Sequence, residues 1–131
     1  MRLNQVTVAT HDVTRAVAFY RALGLEPVVL STHYARFVCP EGRSTLSVHV
    51  TEAPIASSTV VYFECDELDV VVARLKQQGV VFDADPADQP WLWREARLRD
   101  PDGNPICLFH AGANRIDPPW RVDADPHTHL A

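Results

Sequence analysis

A chain of 131 residues, 47% of them apolar, is long enough to bury a core in one compact domain without disulfide or metal staples. The net charge is −5 and the basic residues are scattered, which excludes an electrostatic footprint for nucleic acid or an anionic membrane surface. No apolar run approaches the roughly 18 residues of a membrane span, and the N-terminus MRLNQVTVAT lacks the apolar centre of a signal peptide.

In the first stretch Val6 and Val8 alternate with Gln5, Thr7 and Ala9, as a strand with one face against a helix should. Asp12 or His11 caps a helix whose Val13, Ala16, Val17, Phe19, Tyr20 and Leu23 form a broad apolar stripe, and Gly24 supplies a left-handed stop. Residues 27–30 and 34–39 read as strands joined by a Ser-Thr-His turn, and Pro40-Glu41-Gly42-Arg43 turns the chain into a further strand over 45–51. There Leu46, Val48 and Val50 face the core, while Ser47 and His49 join Gln5 and Thr7 on the other face. A proline-marked linker over 52–58 follows.

Beyond it the pattern predicts a strand over 60–65, a helix over about 67–78, a strand over 80–83, a long loop over 84–91 and a strand over 93–99. The turn Asp100-Pro101-Asp102-Gly103 then leads into a last strand over 105–110. Val60, Tyr62, Glu64, Cys107 and Phe109 fall on the face away from the helix. Residues 111–131 are rich in proline and polar groups. In that tail 114–121 is expected to run extended with Trp120 packed down, and the last eight residues to be mobile. Cys39, Cys65 and Cys107 show no CxxC spacing, which fits free thiols in a reducing compartment and makes the cytoplasm the expected location.

The two halves are one unit written twice. VTVATHDVTRAVAFYRALG, from Val6 to Gly24, becomes VYFECDELDVVVARLKQQG, from Val61 to Gly79, on a shift of 55 residues. Ala35 to Gly42, ARFVCPEG, returns 61 residues later as ARLRDPDG. The expectation is a single α+β domain over 1–131, with βαβββ modules at 1–54 and 55–110 and a tail at 111–131. Each helix screens one face of its sheet, so the bare faces together would make a curved mixed sheet around a cleft.

With HDVTRAVAFYRALGL and RDPDGNPICLF set in a doubled βαβββ unit, residues 1 to about 110 resemble the vicinal oxygen chelate superfamily. That superfamily includes glyoxalase I, extradiol dioxygenases, fosfomycin-resistance enzymes and bleomycin-resistance binding proteins. The resemblance implies a glyoxalase/bleomycin resistance/dioxygenase-like fold and a homodimer. In metal-using members it also implies a divalent ion held by His, Glu or Gln on the first and last strands of the units, with positions left open for two substrate oxygens. Carried over, those positions are Gln5, Ser47, Val60 and Cys107. Val60 cannot ligate, Ser47 seldom does, and Cys107 is soft for an oxygen-chelating ion. His49 is the substitute donor, so Gln5, His49 and Cys107, with Glu64 as an addition, form the candidate site for zinc, iron, nickel or manganese. The plainer reading makes His49 a cleft-wall histidine and Cys107 a small buried hydrophobe.

Glu64 and Tyr62 are the candidate catalytic pair: a carboxylate desolvated beside a ring would have a raised pKa and act as a general base, whereas a strand-end carboxylate is commonly solvated. Trp91 and Trp93 flank one residue at a strand entrance and must pack on the body, a partner or a planar ligand, with Phe109 entering on the same face. Arg36 and its repeat mate Arg97 either anchor a ligand anion or bridge acidic neighbours. Thr7 and Ser47 complete the ligand-facing set, while His127 and His129 form an HxH pair in the tail. Two functional classes remain. One is a protein that binds a small organic molecule in a cleft whose metal site is incomplete. The other is a metal-dependent lyase, isomerase or dioxygenase of the glyoxalase type, acting on a small oxygenated substrate through Gln5 and His49.

Overall fold

The computed structural model describes residues 1–123. The expectations made for the last eight residues, His127 and His129 among them, lie outside the described residues. The elements are β1 (Gln5–Thr10), α1 (Val13–Ala22), β2 (Glu26–Leu30), β3 (Tyr34–Val38), β4 (Thr45–Val50), β5 (Val61–Glu64), α2 (Leu68–Gln77), β6 (Phe82–Asp88), β7 (Arg94–Arg99) and β8 (Pro105–His110). They form two four-stranded sheets, ordered β1-β4-β3-β2 and β5-β8-β7-β6. Each sheet is mixed: β1 with β4 and β5 with β8 run parallel, and the other pairs antiparallel. The repeat holds residue by residue. Thr7 pairs with Ser47 as Tyr62 pairs with Cys107, and Arg36 lies beside Ser47 as Arg97 lies beside Cys107.

Helix α1 begins where the Asp12 carboxylate accepts the Arg15 amide N–H at 3.1 Å. It ends where Gly24 takes a φ of 104°, and α2 stops in the same way at Gly79, with a φ of 90°. Ala16 and Tyr20 of α1 are buried with Phe37, Leu46 and Val48, while Leu68, Val72 and Leu75 of α2 are buried with Leu98, Ile106 and Leu108. All belong to one contiguous core on the helix side of both sheets. A fully buried leucine such as Leu75 contributes about 2 kcal/mol to that core.

The joint between the units is polar. The Asp102 side chain, wholly buried in the turn before β8, accepts the Thr10 hydroxyl at 2.6 Å, the His11 amide N–H at 2.9 Å and the Arg15 guanidinium at 3.0 Å. Tyr20 donates its hydroxyl to Asp100 at 2.7 Å, and Asn104 donates to the Ala9 carbonyl at 2.9 Å. Burial, and then the charge of Asp100, push the Tyr20 pKa far up, so the phenol stays a donor. These contacts fix the helix sides of the two units together and turn the other two sheet faces away from the core.

Two expectations are corrected. The predicted loop over 84–91 is mostly strand, because β6 runs Phe82–Asp88 through register shifts on either side of Ala84. It stands at the sheet edge, where Pro86 is tolerated; Phe82, Ala84 and Pro86 alternate with Asp83 and Asp85, but the proline and the short side chains resemble a loop. The tail does not run extended with Trp120 packed down: Gly112–Arg115 forms a 3-10 turn and Trp120 is 56% exposed. No helix among the described residues is long and apolar enough to cross a membrane.

Candidate functional site

On the first unit, strand alternation places Gln5, Thr7, Ser47, His49, Tyr34 and Arg36 on the face away from α1. Thr7 and the buried Ser47 share a hydroxyl–hydroxyl hydrogen bond of 2.6 Å, and Gln5 accepts the Thr45 hydroxyl at 2.8 Å. The Arg36 Nε donates to the Tyr34 hydroxyl at 3.0 Å, and the guanidinium stands 5.5 Å from the centre of the same ring. Hydrogen bonding from Ser47 and then from Arg36 lowers the Tyr34 pKa below the ordinary phenol value. His49 is exposed, with its ring 6.5 Å from that of Tyr34.

The matching face of the second unit is aromatic. Trp93 and Phe109 stack with centroids 4.6 Å apart and planes 18° from parallel. Tyr62 meets both edge-on at 5.9 and 5.6 Å while remaining 45% exposed. Glu95, 4% exposed, ties the cluster to its rim by accepting the Trp91 indole N–H at 2.6 Å and the Arg97 guanidinium at 2.8 Å. Arg97 in turn lies 5.5 Å from the centre of the Tyr62 ring. Between the tryptophans Leu92 takes a φ of 67°, a region leucine seldom occupies. The Leu92 N–H to Gln89 carbonyl bond (3.0 Å) and the Gln89 N–H to Trp93 carbonyl bond (2.7 Å) hold it there.

Glu64 has a different task from the general base expected of it. Its carboxylate accepts the backbone N–H groups of Ala111 and Gly112 at 2.8 and 2.9 Å and so turns the chain into the tail. Desolvation raises its pKa, but the two amides, with His110 and Arg115, outweigh that effect and hold it below the usual carboxylate range. A base needs the opposite shift. Tyr62, its expected partner, belongs to the aromatic cluster.

The metal candidates are not brought together. Gln5 pairs with Thr45 and His49 with Ala9, which separates them by four residues along the strands, about 13 Å. Cys107 is fully buried in the other sheet, where desolvation pushes its pKa up to about 12 despite Arg97. At the positions that the resemblance implies, Val60 has no donor atom, the Ser47 hydroxyl is bonded to Thr7, and the Gln5 carbonyl is bonded to Thr45. Among the described residues no group of three or more His, Cys, Asp or Glu could hold a metal ion. These donors do not fit a hard divalent ion.

Of the ligand-facing candidates, the structure gathers Trp91, Trp93 and Phe109 around Tyr62 and Glu95, and it leaves Thr7, Ser47 and Arg36 on the other unit. No hydrogen bond, ion pair or aromatic contact among the described residues joins the two faces. Strands β1 and β5 each stand at the edge of a sheet. Two shallow concavities of about 350 and 360 Å³ are lined by none of Tyr62, Trp93 or Phe109. Glu95 is the residue that sequence reasoning missed. Its signal was available, since it is the repeat mate of Tyr34 and alternates with Arg97.

The family model described as Glyoxalase/Bleomycin resistance protein/Dioxygenase superfamily matches residues 2–108. No curated protein sequence matches the chain. Among solved structures, the chain is similar to a member of that superfamily from Sphaerobacter thermophilus DSM 20745, at 21% identity over 84% of this chain and 97% of the other, with a TM-score of 0.70. It is similar to a lactoylglutathione lyase from Agrobacterium tumefaciens, at 23% identity over 83% and 92%, with a TM-score of 0.70. It is also similar to a bleomycin-binding protein complexed with bleomycin, at 22% identity over 84% and 98%, with a TM-score of 0.69. At such identities the likeness is one of fold.

Proposed function

The chain belongs to the glyoxalase/bleomycin resistance protein/dioxygenase superfamily, and from that premise we propose that it binds a small organic molecule on its bare sheet faces as a metal-independent binding protein. The observation that carries the reading is the cluster of Tyr62, Trp93 and Phe109, three rings held in fixed mutual geometry with Tyr62 left half in solvent. A planar guest extends such a cluster by stacking or edge-on contact. The bleomycin-binding neighbour supports the class of activity, being a protein of similar fold that holds an organic ligand.

One face alone is half a site. In a homodimer the first-unit face of one copy, with Thr7, Ser47 and Arg36, lies against the second-unit face of another, with Trp91, Trp93 and Phe109, and the ligand sits between them. The metal-dependent lyase or dioxygenase reading is weaker, because Gln5 and His49 stand about 13 Å apart along their own sheet and Cys107 is fully buried.

The test is to titrate the purified 131-residue chain with 2-naphthamide, following tryptophan fluorescence, and to measure the metal content of the same sample. Saturable quenching that weakens about tenfold in Tyr62→Ala, at a temperature where the variant is still folded, is the expected result. Near-stoichiometric zinc, iron, nickel or manganese that is lost in Gln5→Ala or His49→Ala would overturn it in favour of the enzyme.

A further inference from the structure

The two units differ in one chemical respect at equivalent positions. Glu95-Ala96-Arg97 of β7 is the repeat mate of Tyr34-Ala35-Arg36 of β3. In the second unit the carboxylate two residues before the arginine neutralises it, with Arg97 to Glu95 at 2.8 Å. In the first unit that place holds a tyrosine. Arg36 therefore spends its Nε on a neutral phenol at 3.0 Å, and among the described residues it has no carboxylate within 4 Å. Its terminal amino groups, the fork that grips planar oxyanions, make no hydrogen bond to any described residue. Glu26, the nearest acid by strand register, pairs with Val38, one alternation away, and forms no ion pair with it.

The carboxylates on the bare face of the second unit are already engaged: Glu95 by Arg97 and Trp91, and Glu64 by the amides of Ala111 and Gly112, with Arg115 at 3.6 Å. Closing the site over Arg36 would thus desolvate an uncompensated guanidinium, which is unfavourable unless the guest brings the counter-charge. The Tyr34 hydroxyl accepts from Arg36 and keeps its own proton to donate to the same guest group.

We infer that the ligand is an aromatic carboxylate whose ring packs on Tyr62, Trp93 and Phe109 and whose oxyanion is held by the free fork of Arg36 with the Tyr34 hydroxyl. This rests on the proposed binding function and names its ligand class. The net charge of −5 does not oppose it, because Glu95 of the aromatic face is neutralised by Arg97 and exposed carboxylates elsewhere are screened over about 8 Å at physiological salt.

The test compares 2-naphthoate with 2-naphthamide, which share a ring system and differ in charge, on the wild-type chain, Arg36→Met and Arg36→Lys. The wild type is expected to prefer the carboxylate about tenfold. That ratio should fall to about 1 in Arg36→Met, which keeps the aliphatic stem, and to about 3 in Arg36→Lys, which keeps the charge without the fork. A wild type that binds both equally, or a preference that survives in Arg36→Met, overturns the anion site and leaves the aromatic site standing. Binding of neither ligand overturns both. Should Arg36→Met fail to fold, Arg36→Lys decides alone: an undiminished tenfold ratio there contradicts bidentate recognition.

Discussion

Replacing Asp102 by alanine tests whether the polar joint orients the two units. The buried carboxylate accepts from the Thr10 hydroxyl, the His11 amide and the Arg15 guanidinium. Hydrogen bonds to a charged acceptor contribute about 1.5–3 kcal/mol each, so losing the first two costs about 3–6 kcal/mol. Arg15 is half exposed and its share is screened to less than about 1 kcal/mol. With a urea dependence of about 1.5 kcal/mol per M, Asp102→Ala should lower the unfolding midpoint by about 2–4 M, and Arg15→Ala by less than about 0.7 M. Equilibrium urea unfolding followed by tryptophan fluorescence reads both. A shift under about 0.5 M for Asp102→Ala, or equal shifts for the two variants, would refute the view that this carboxylate locks the units with their helix sides together.

Trp93→Ala should destabilise the fold by about 2–3 kcal/mol, because its ring stacks on the buried Phe109, and Trp91→Ala, 44% exposed but donating its indole N–H to the buried Glu95 carboxylate, by about 1.5–3 kcal/mol; thermal denaturation of each reads the two costs. The folded pKa of Glu64 is depressed, so its contribution to stability is present above the ordinary carboxylate pKa of about 4.3 and is lost as pH falls through the lower folded value. Stability measured between pH 6 and pH 2 should therefore fall less steeply in Glu64→Gln than in the wild type, and an unchanged slope would contradict the depression. Cys107, fully buried and with its pKa pushed up to about 12, should resist iodoacetamide at pH 8 until the chain is unfolded, and mass spectrometry of the labelled peptides checks this.

Much of the fold was legible because both of its periods were clean. Val6 and Val8 against Gln5 and Thr7, and Leu46 and Val48 against Ser47 and His49, alternate as one-faced strands, and the structure keeps those faces. The apolar stripe of α1 and its glycine stop were equally plain. What escaped detection depends on tertiary partners. Strand β6 reads FDADPAD, in which Phe82, Ala84 and Pro86 alternate with Asp83 and Asp85, but three aspartates and a proline look like a loop until the segment is placed at a sheet edge. Glu64 looked like a desolvated acid until the amides of Ala111 and Gly112, 47 and 48 residues away, came within reach of it. Asp102 read as a turn residue; its partners Thr10, His11 and Arg15 belong to the other unit, about 90 residues earlier. Strand period placed Trp93, Tyr62 and Phe109 on one face, but only coordinates give the stacking, the buried Glu95 beneath it and the unequal fates of Arg36 and Arg97.

The most direct measurement is an NMR titration of the ¹⁵N-labelled chain with 2-naphthoate, read at the indole N–H signals of Trp91, Trp93 and Trp120 and at the backbone amides of Tyr62 and Phe109. Saturable shifts at Trp93, Tyr62 and Phe109, with Trp120 unmoved, are expected of a ligand held on the aromatic face. Shifts confined to the groove between Phe19 and Val81, or to Trp120, with Trp93 silent, would contradict it.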